Sequence, residues 1–186
     1  MNKAIFFDRD GTINVDKGYV YKLEDLEFEK NAIEGLKELT KTEYKLIVIT
    51  SQSGVGRGYY TEEDMHKFNH ELIRRLNEKG IKIENIYFCP HHPEKGIGKY
   101  KVDCDCRKPE PGLIMGAKNE YNLTLQDSIM IGDKTSDIEV GKRSRCKTIL
   151  VKTGEGGKDK SYNIKPDYVA DDLLDAAKWI LNNKNE

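Results

Sequence analysis

The chain has 186 residues, enough for one domain with a substantial core. Its 31 Lys and Arg nearly balance 32 Asp and Glu, for a net charge of -1, which argues against a broad basic field for nucleic acid and against an acidic tail. No apolar run is long enough to cross a membrane, and the opening apolar stretch of about four residues is too short for a signal-peptide core. The expected compartment is therefore the cytosol, where four cysteines point to metal or free thiols instead of disulfides.

A strand is predicted over residues 3–7, running into Asp8-Arg9-Asp10-Gly11-Thr12. Residues i and i+2 of an extended segment share a face, so Asp8 and Asp10 can both turn toward one site. Such a pair can hold a hard cation like Mg²⁺ through oxygen. One carboxylate can also attack an electrophile while the other shuttles a proton. Taken alone, the pair reads better as a solvated acidic turn; the residues downstream reverse that preference.

Residues 16–30 form a long connection to a helix at 32–40. A strand at 45–50 follows, then a helix at 61–79, opened by a Thr61/Asp64 capping box and closed by Gly80 at C′. A strand at 83–88 leads into a longer connection, 89–110. Beyond it lie a helix at 111–121, a strand at 128–131, a helix at 135–143, a strand at 147–151, a weaker strand at 167–170 and a helix at 171–182. This alternation predicts parallel βαβ units in one α/β domain over 1–186, with a doubly wound, Rossmann-like sheet. Ligands bind such sheets beyond the carboxyl ends of the strands. No internal repeat or low-complexity segment interrupts the pattern. Connections as long as 16–30 and 89–110 are uncommon inside compact domains and are usually functional.

The second connection contains Cys89-Pro90-His91-His92-Pro93 and Cys104-Asp105-Cys106-Arg107-Lys108-Pro109. C-x-H followed by C-x-C offers four ligands suited to tetrahedral Zn²⁺: Cys89, His91, Cys104 and Cys106. Spacing alone does not choose between His91 and His92. A filled Cys₃His site has no open position, so the expected zinc is structural and pins the loop; such ions contribute on the order of 10 kcal/mol of apparent binding energy. The plain alternative is a loop with free thiols. The spacing is unlike that of nucleic-acid zinc fingers. Cys146 stands apart and is expected to be a small buried residue.

Further pieces fall at strand ends. Thr50-Ser51-Gln52-Ser53-Gly54 offers hydroxyls and amides to an anion, Arg107-Lys108 supplies two cations before a helix, and Gly132-Asp133-Lys134 precedes Asp137 by one turn. In this order the pieces resemble the four motifs of the haloacid-dehalogenase-like (HAD) phosphohydrolases. Gly18-Tyr19-Val20, Gln52-Ser53-Gly54, Gly56-Arg57-Gly58 and the two metal-loop motifs are similar, within that superfamily, to the heptose-bisphosphate phosphatases. The similarity runs from Lys3 to about Gly154. One departure is Ser51, where that family usually has Asn.

The resemblance implies a Mg²⁺-dependent phosphatase that removes the 7-phosphate of a heptose 1,7-bisphosphate in the making of surface glycan. Asp8 would be the nucleophile and Asp10 the general acid and base. Mg²⁺ would be held by Asp8, the Asp10 main-chain carbonyl and Asp133. Thr50 and Lys108 would stabilise the transferring group. Substrate contacts would come from Asp16, Lys17, Gly18, Tyr19, Thr50, Ser51, Gln52, Ser53, Arg107, Lys108 and Lys134. Arg107 suits a second phosphate because a guanidinium binds it through two parallel hydrogen bonds. Arg57 either joins it or is a solvated loop tip. Asp137 either orients Lys108 or the metal waters, or is an ordinary first-turn acid. Loops, not a large cap, should wall the site. The expected partner is a small phosphorylated sugar, with no nucleic acid or membrane and a monomeric chain. The alternatives are a histidinol-phosphate phosphatase and a phosphosugar-binding module without activity.

Overall fold

Ala4–Phe7 is buried at every residue, as befits a central strand covered on both faces. In the computed structural model, which describes residues 2–183, this strand is β1. With β2 (Lys45–Ser51), β3 (Asn85–Cys89), β4 (Ile129–Gly132), β5 (Lys147–Val151) and β6 (Tyr168–Ala170) it forms a six-stranded sheet in the order β3-β2-β1-β4-β5-β6. Every pairing is parallel. The helices are α1 (Ala32–Thr40), a single turn α2 (Ser53–Gly56), α3 (Glu62–Asn77), α4 (Gly112–Tyr121), α5 (Thr135–Arg143) and α6 (Leu173–Asn182). None of the described helices is long and apolar enough to cross a membrane.

The period-2 alternation of β1 divides the core. Ile5 and Phe7 join Leu36, Phe68, Leu72 and Leu173 on the face covered by α1, α3 and α6. Ala4 and Phe6 join Ile114, Ala117 and Val140 on the face covered by α4 and α5. After β3 the chain crosses back to place β4 on the other side of β1. That reversal opens a crevice at the carboxyl ends of β1, β2 and β4, the usual ligand position of open α/β sheets.

The expected doubly wound sheet is present, with local differences. The third strand begins at Asn85, not Ile83: Ile81 and Ile83 are buried, but they pack as the extended approach to the strand. The capping box of α3 is complete, Asp64 N–H donating to the Thr61 hydroxyl and Thr61 N–H to the Asp64 carboxylate. At its other end Gly80, with φ +75, donates to the Asn77 carbonyl while Ile81 donates to that of Leu76, the paired bonds of a Schellman closure. The two long connections are folded. Residues 16–30 hold a 3₁₀ turn at Leu23–Asp25 and bury Val20 and Leu26 in the core. Residues 89–110 hold another at Gly98–Tyr100.

Candidate active site and metal centre

Asp8 follows β1 directly and lies between the ends of β2 and β4. Its carboxylate is buried, with Oδ1 2.9 Å from Lys108 Nζ. The same ammonium is 2.6 Å from Asp137 Oδ1 and donates to the Ile49 carbonyl at 3.4 Å. Burial works against a charged Lys108, but Asp137 and Asp8 outweigh it and hold its pKa above the ordinary lysine value. The second Asp137 oxygen accepts from the Lys134 backbone N–H at 3.0 Å, in the first turn of α5. Asp137 therefore does both things its sequence position allowed, orienting Lys108 and capping a helix.

Asp133, just past β4, is also fully buried. Its Oδ2 accepts from the Glu155 backbone N–H at 2.8 Å. A Cβ at Gly11 would come within 2.4 Å of that oxygen and one at Gly154 within 2.3 Å. Both glycines have positive φ, so only glycine lets the two loops close over this carboxylate. Burial pushes the Asp133 carboxyl up to about 8, with Asp8 and Asp137 adding to it. Burial likewise pushes Asp8 up to about 6, against the pull of Lys108. Asp8, Asp133 and Asp137 bring carboxylate oxygens within 4.8 Å of one another. Asp137 has both oxygens in close bonds, at 2.6 and 3.0 Å, whereas Asp133 Oδ1 meets only the Thr12 hydroxyl at 3.5 Å, so Asp8 and Asp133 are the more available donors. Buried hard oxygens with more negative than positive charge around them fit a small dication such as Mg²⁺.

Asp10 is held by donors. Arg9, completely buried, spans it with Nη2 3.0 Å from each oxygen and Nε 3.2 Å from Oδ1. The guanidinium lies over the Phe68 ring and also donates to Asn69, to the Val20 carbonyl and to Gln52. Gln52 returns a bond to Asp10 Oδ2 at 2.9 Å and another to the Thr50 hydroxyl at 2.8 Å. Asn14 adds a further bond to Asp10 Oδ1. The carboxylate is thus locked in one orientation.

A cavity of about 470 Å³ opens over these groups, within the usual range for small-molecule sites. Of the substrate-contact residues expected from the sequence, Asp16, Gly18, Tyr19, Ser51, Gln52, Ser53, Arg107, Lys108 and Lys134 line it. Lys17 does not, and forms an exposed ion pair with Glu27 instead. Thr50 lies beneath the lining, buried, with its hydroxyl accepting from Gln52. Arg57, expected either beside Arg107 or as a solvated loop tip, also lines it, and so do four residues that the sequence does not mark as substrate contacts: Tyr60, Ser136, Ser161 and Tyr162. Ser161 and Tyr162 belong to the segment after β5 that Asp159 ties to Thr135, accepting from its N–H and hydroxyl at 2.9 and 2.6 Å. No motif marks that segment. The Gly56-Arg57-Gly58 turn was the one available signal for Arg57.

The second cluster stands at the end of β3. Cys89 Sγ is 2.9 Å from Cys106 Sγ and 3.6 Å from Cys104 Sγ, and Cys104 and Cys106 are 3.3 Å apart. His91 Nδ1 lies 3.3 Å from Cys106 and 3.7 Å from Cys89. These separations are close to the edges of a tetrahedron with metal bonds of about 2.0–2.3 Å, and soft sulfur donors with one imidazole fit Zn²⁺. His92 is the histidine left out, since its Nδ1 accepts from the backbone N–H groups of Glu94 and Lys95. Cys146 is buried elsewhere, its thiol pushed up to about 12 by burial.

A family model described as "HAD-hyrolase-like" matches residues 105–176. The D-glycero-beta-D-manno-heptose-1,7-bisphosphate 7-phosphatase of Pasteurella multocida is 41% identical to this chain, with 100% of both covered. The protein of the same name from Haemophilus influenzae is 42% identical over 94% of this chain and 95% of its own. The crystal structure of D,D-heptose 1.7-bisphosphate phosphatase from B. bronchiseptica, complexed with magnesium and phosphate, is 27% identical, covers 97% of this chain and 98% of that one, and superposes with a TM-score of 0.85. Given that level of identity over whole chains, this chain belongs to the heptose-1,7-bisphosphate 7-phosphatase family of HAD-like hydrolases.

Proposed function

We propose that the chain hydrolyses the 7-phosphate of D-glycero-β-D-manno-heptose 1,7-bisphosphate, with Mg²⁺ as its cofactor. The observation that carries this reading is the Asp8–Lys108–Asp137 arrangement at the floor of a cavity that also presents Arg57, Arg107 and Lys134. The names of the relatives support the sugar and its anomer, and they speak against the histidinol-phosphate alternative. Asp8 attacks phosphorus, forming an aspartyl phosphate and expelling the sugar oxygen, to which Asp10 delivers a proton. Asp10 then takes a proton from the water that attacks the aspartyl phosphate, releasing inorganic phosphate and restoring Asp8. The Arg9–Gln52–Asn14 donors hold Asp10 still through both transfers. Lys108, oriented by Asp137, and the Thr50 hydroxyl steady the transferring group.

Asp8, Asp133 and the Asp10 main-chain carbonyl would hold Mg²⁺, which supplies charge neutralisation between nucleophile and phosphate. Cys89, His91, Cys104 and Cys106 would hold a structural Zn²⁺ that keeps Arg107 and Lys108 in place. Asp16, Gly18, Tyr19 and Ser51–Ser53 contact the sugar, and Arg107 takes the phosphate that is not transferred. Lys17 is not assigned a contact. A monomer working in the cytosol is the simplest setting for a soluble phosphosugar. The test is a comparison of kcat/KM for the β- and α-heptose bisphosphates, histidinol phosphate and fructose 1,6-bisphosphate, with and without Mg²⁺. The β-heptose bisphosphate should lead and require Mg²⁺. Preference for histidinol phosphate, or no phosphate release from any of them, would overturn the reading.

A further inference from the structure

The cavity presents four cationic side chains, and they fall into two classes. Lys108 is neutralised by Asp8 and Asp137, at 2.9 and 2.6 Å. Lys134 is paired with Asp16 at 3.2 Å. Arg57 and Arg107 have no carboxylate partner among the described residues. Arg107 makes one bond, from Nη1 to the His91 carbonyl at 3.3 Å. The Arg57 side chain makes none, and its Nε is buried without an acceptor. A guanidinium left without an acceptor is costly, and Arg57 lines the cavity, where an entering anion can supply one.

The backbone holds Arg57 at that place. Its own N–H donates to Ser53 at 2.9 Å, and Gly58 N–H donates to Val55 at 3.0 Å. The Arg57 guanidinium stacks over the Tyr19 ring, 5.7 Å from its centroid, and Tyr19 lines the cavity. This contact orients the planar fork. The turn is in turn docked on the metal loop. Ile97 N–H donates to the Gly56 carbonyl at 2.8 Å, and a Cβ at Gly56 would strike the Pro90 carbonyl at 2.4 Å. The loop that carries Arg107 therefore also seats Arg57.

We infer that Arg57 and Arg107 form a two-guanidinium clamp for the phosphate that is not transferred, Arg57 being the further specificity-determining residue. This rests on the bisphosphate reading above. The transferred group meets Lys108, whose charge is already balanced by its carboxylates. The remaining phosphate needs positive charge that is not, and the two arginines supply it through forks that match its oxygens.

The experiment measures kcat/KM of wild type, Arg57→Ala and Arg57→Lys on the heptose 1,7-bisphosphate and on the heptose 7-monophosphate. It also measures inhibition by the product, heptose 1-phosphate. Arg57→Ala should lower kcat/KM for the bisphosphate by about tenfold to a hundredfold, mostly through KM. That loss should exceed the loss on the monophosphate at least about tenfold, and product inhibition should weaken in parallel. Arg57→Lys should recover part of the effect, because it keeps the charge and loses the fork. Equal losses on both substrates, or unchanged product inhibition, would overturn the clamp. A wild type that turns over both substrates alike would overturn the substrate reading and the clamp together. A wild-type preference that survives Arg57→Ala would overturn the clamp alone.

Discussion

Two clusters of acidic or soft ligands stand at the carboxyl edge of the sheet, and they are built on opposite principles. Asp8 and Asp133 project from the ends of β1 and β4, strands buried along their whole length. Their positions are set by the sheet, and Lys108 and the glycines at 11 and 154 close around them. Cys89, His91, Cys104 and Cys106 come from one strand end and a loop with a single 3₁₀ turn. Apart from Cys89 they have little regular structure to hold them. The donors of this second cluster face one another, sulfur against sulfur and imidazole. A scaffold that is rigid without its ion can present costly buried charge and use it for chemistry. A loop that is not rigid needs the ion in order to fold. The first cluster should thus fail in activity, and the second in stability.

The largest effect should come from the rigid cluster. Asp8→Asn is nearly isosteric, and Lys108 keeps its 2.6 Å bond to Asp137. Turnover should fall by on the order of 10³-fold or more, while the melting temperature stays close to that of wild type. Asp10→Asn should also be severe, but it leaves the nucleophile in place, so some phosphorylated enzyme can accumulate. Rapid quenching and intact mass detect it. An Asp8→Asn enzyme with near-wild-type kcat would end the covalent mechanism.

The loop cluster should respond in the other way. Cys104→Ser or Cys106→Ser, or stripping with a strong chelator, should lower the melting temperature by more than about 10 °C, given zinc's apparent contribution of on the order of 10 kcal/mol. Activity should fall with it, because the loop carries Arg107 and Lys108, and zinc but not magnesium should restore it. Metal analysis of the native protein should return about one zinc per chain. A protein without zinc, whose three thiols all label freely while it stays folded, would break the contrast.

This difference also explains what could be read in the sequence. The strands are legible because β1, β2 and β4 are short apolar runs that give way to Asp8, Thr50-Ser51 and Gly132-Asp133. Asp8, Asp10 and Asp133 stand out because they sit at short offsets from those ends, whereas Lys108 lies beyond the metal loop and is marked by the Arg107-Lys108-Pro109 motif. Alternation of apolar residues cannot separate a strand from its extended approach, which is why Ile83 reads as strand although the ladder starts at Asn85. The Ser53–Gly56 turn is glycine-rich and reads as a loop. His91 and His92 are indistinguishable until His92 is seen accepting two backbone bonds. Lys17 sits between two cavity residues, Asp16 and Gly18, yet points to Glu27. Ser161 and Tyr162 reach the cavity only through the fold of the segment after β5, a tertiary fact with no local signature.

The smallest effect tests the charge stored in the rigid cluster. Burial raises the Asp8 carboxyl to about 6 and that of Asp133 to about 8, from the ordinary aspartate value of 3.8. A carboxyl whose folded pKa is raised binds a proton in the folded chain after the unfolded chain has released it. Unfolding then releases protons, and stability falls as pH rises from about 4 toward 8. Without Mg²⁺, the melting temperature should therefore decline across that window because of these two groups. Mg²⁺ competes with the protons and binds once they are gone. Saturating Mg²⁺, at about a hundred times its dissociation constant, adds roughly 2.7 kcal/mol, or some 5–10 °C for a chain of this size. That gain should appear at pH 8 and nearly vanish at pH 5. Asp133→Asn should flatten the pH slope and abolish most of the Mg²⁺ shift, while leaving the zinc-dependent transition unchanged. Thermal scans at pH 5, 6.5 and 8, with and without Mg²⁺, check this. A Mg²⁺ shift of equal size at all three would mean that the ion binds away from the buried carboxylates.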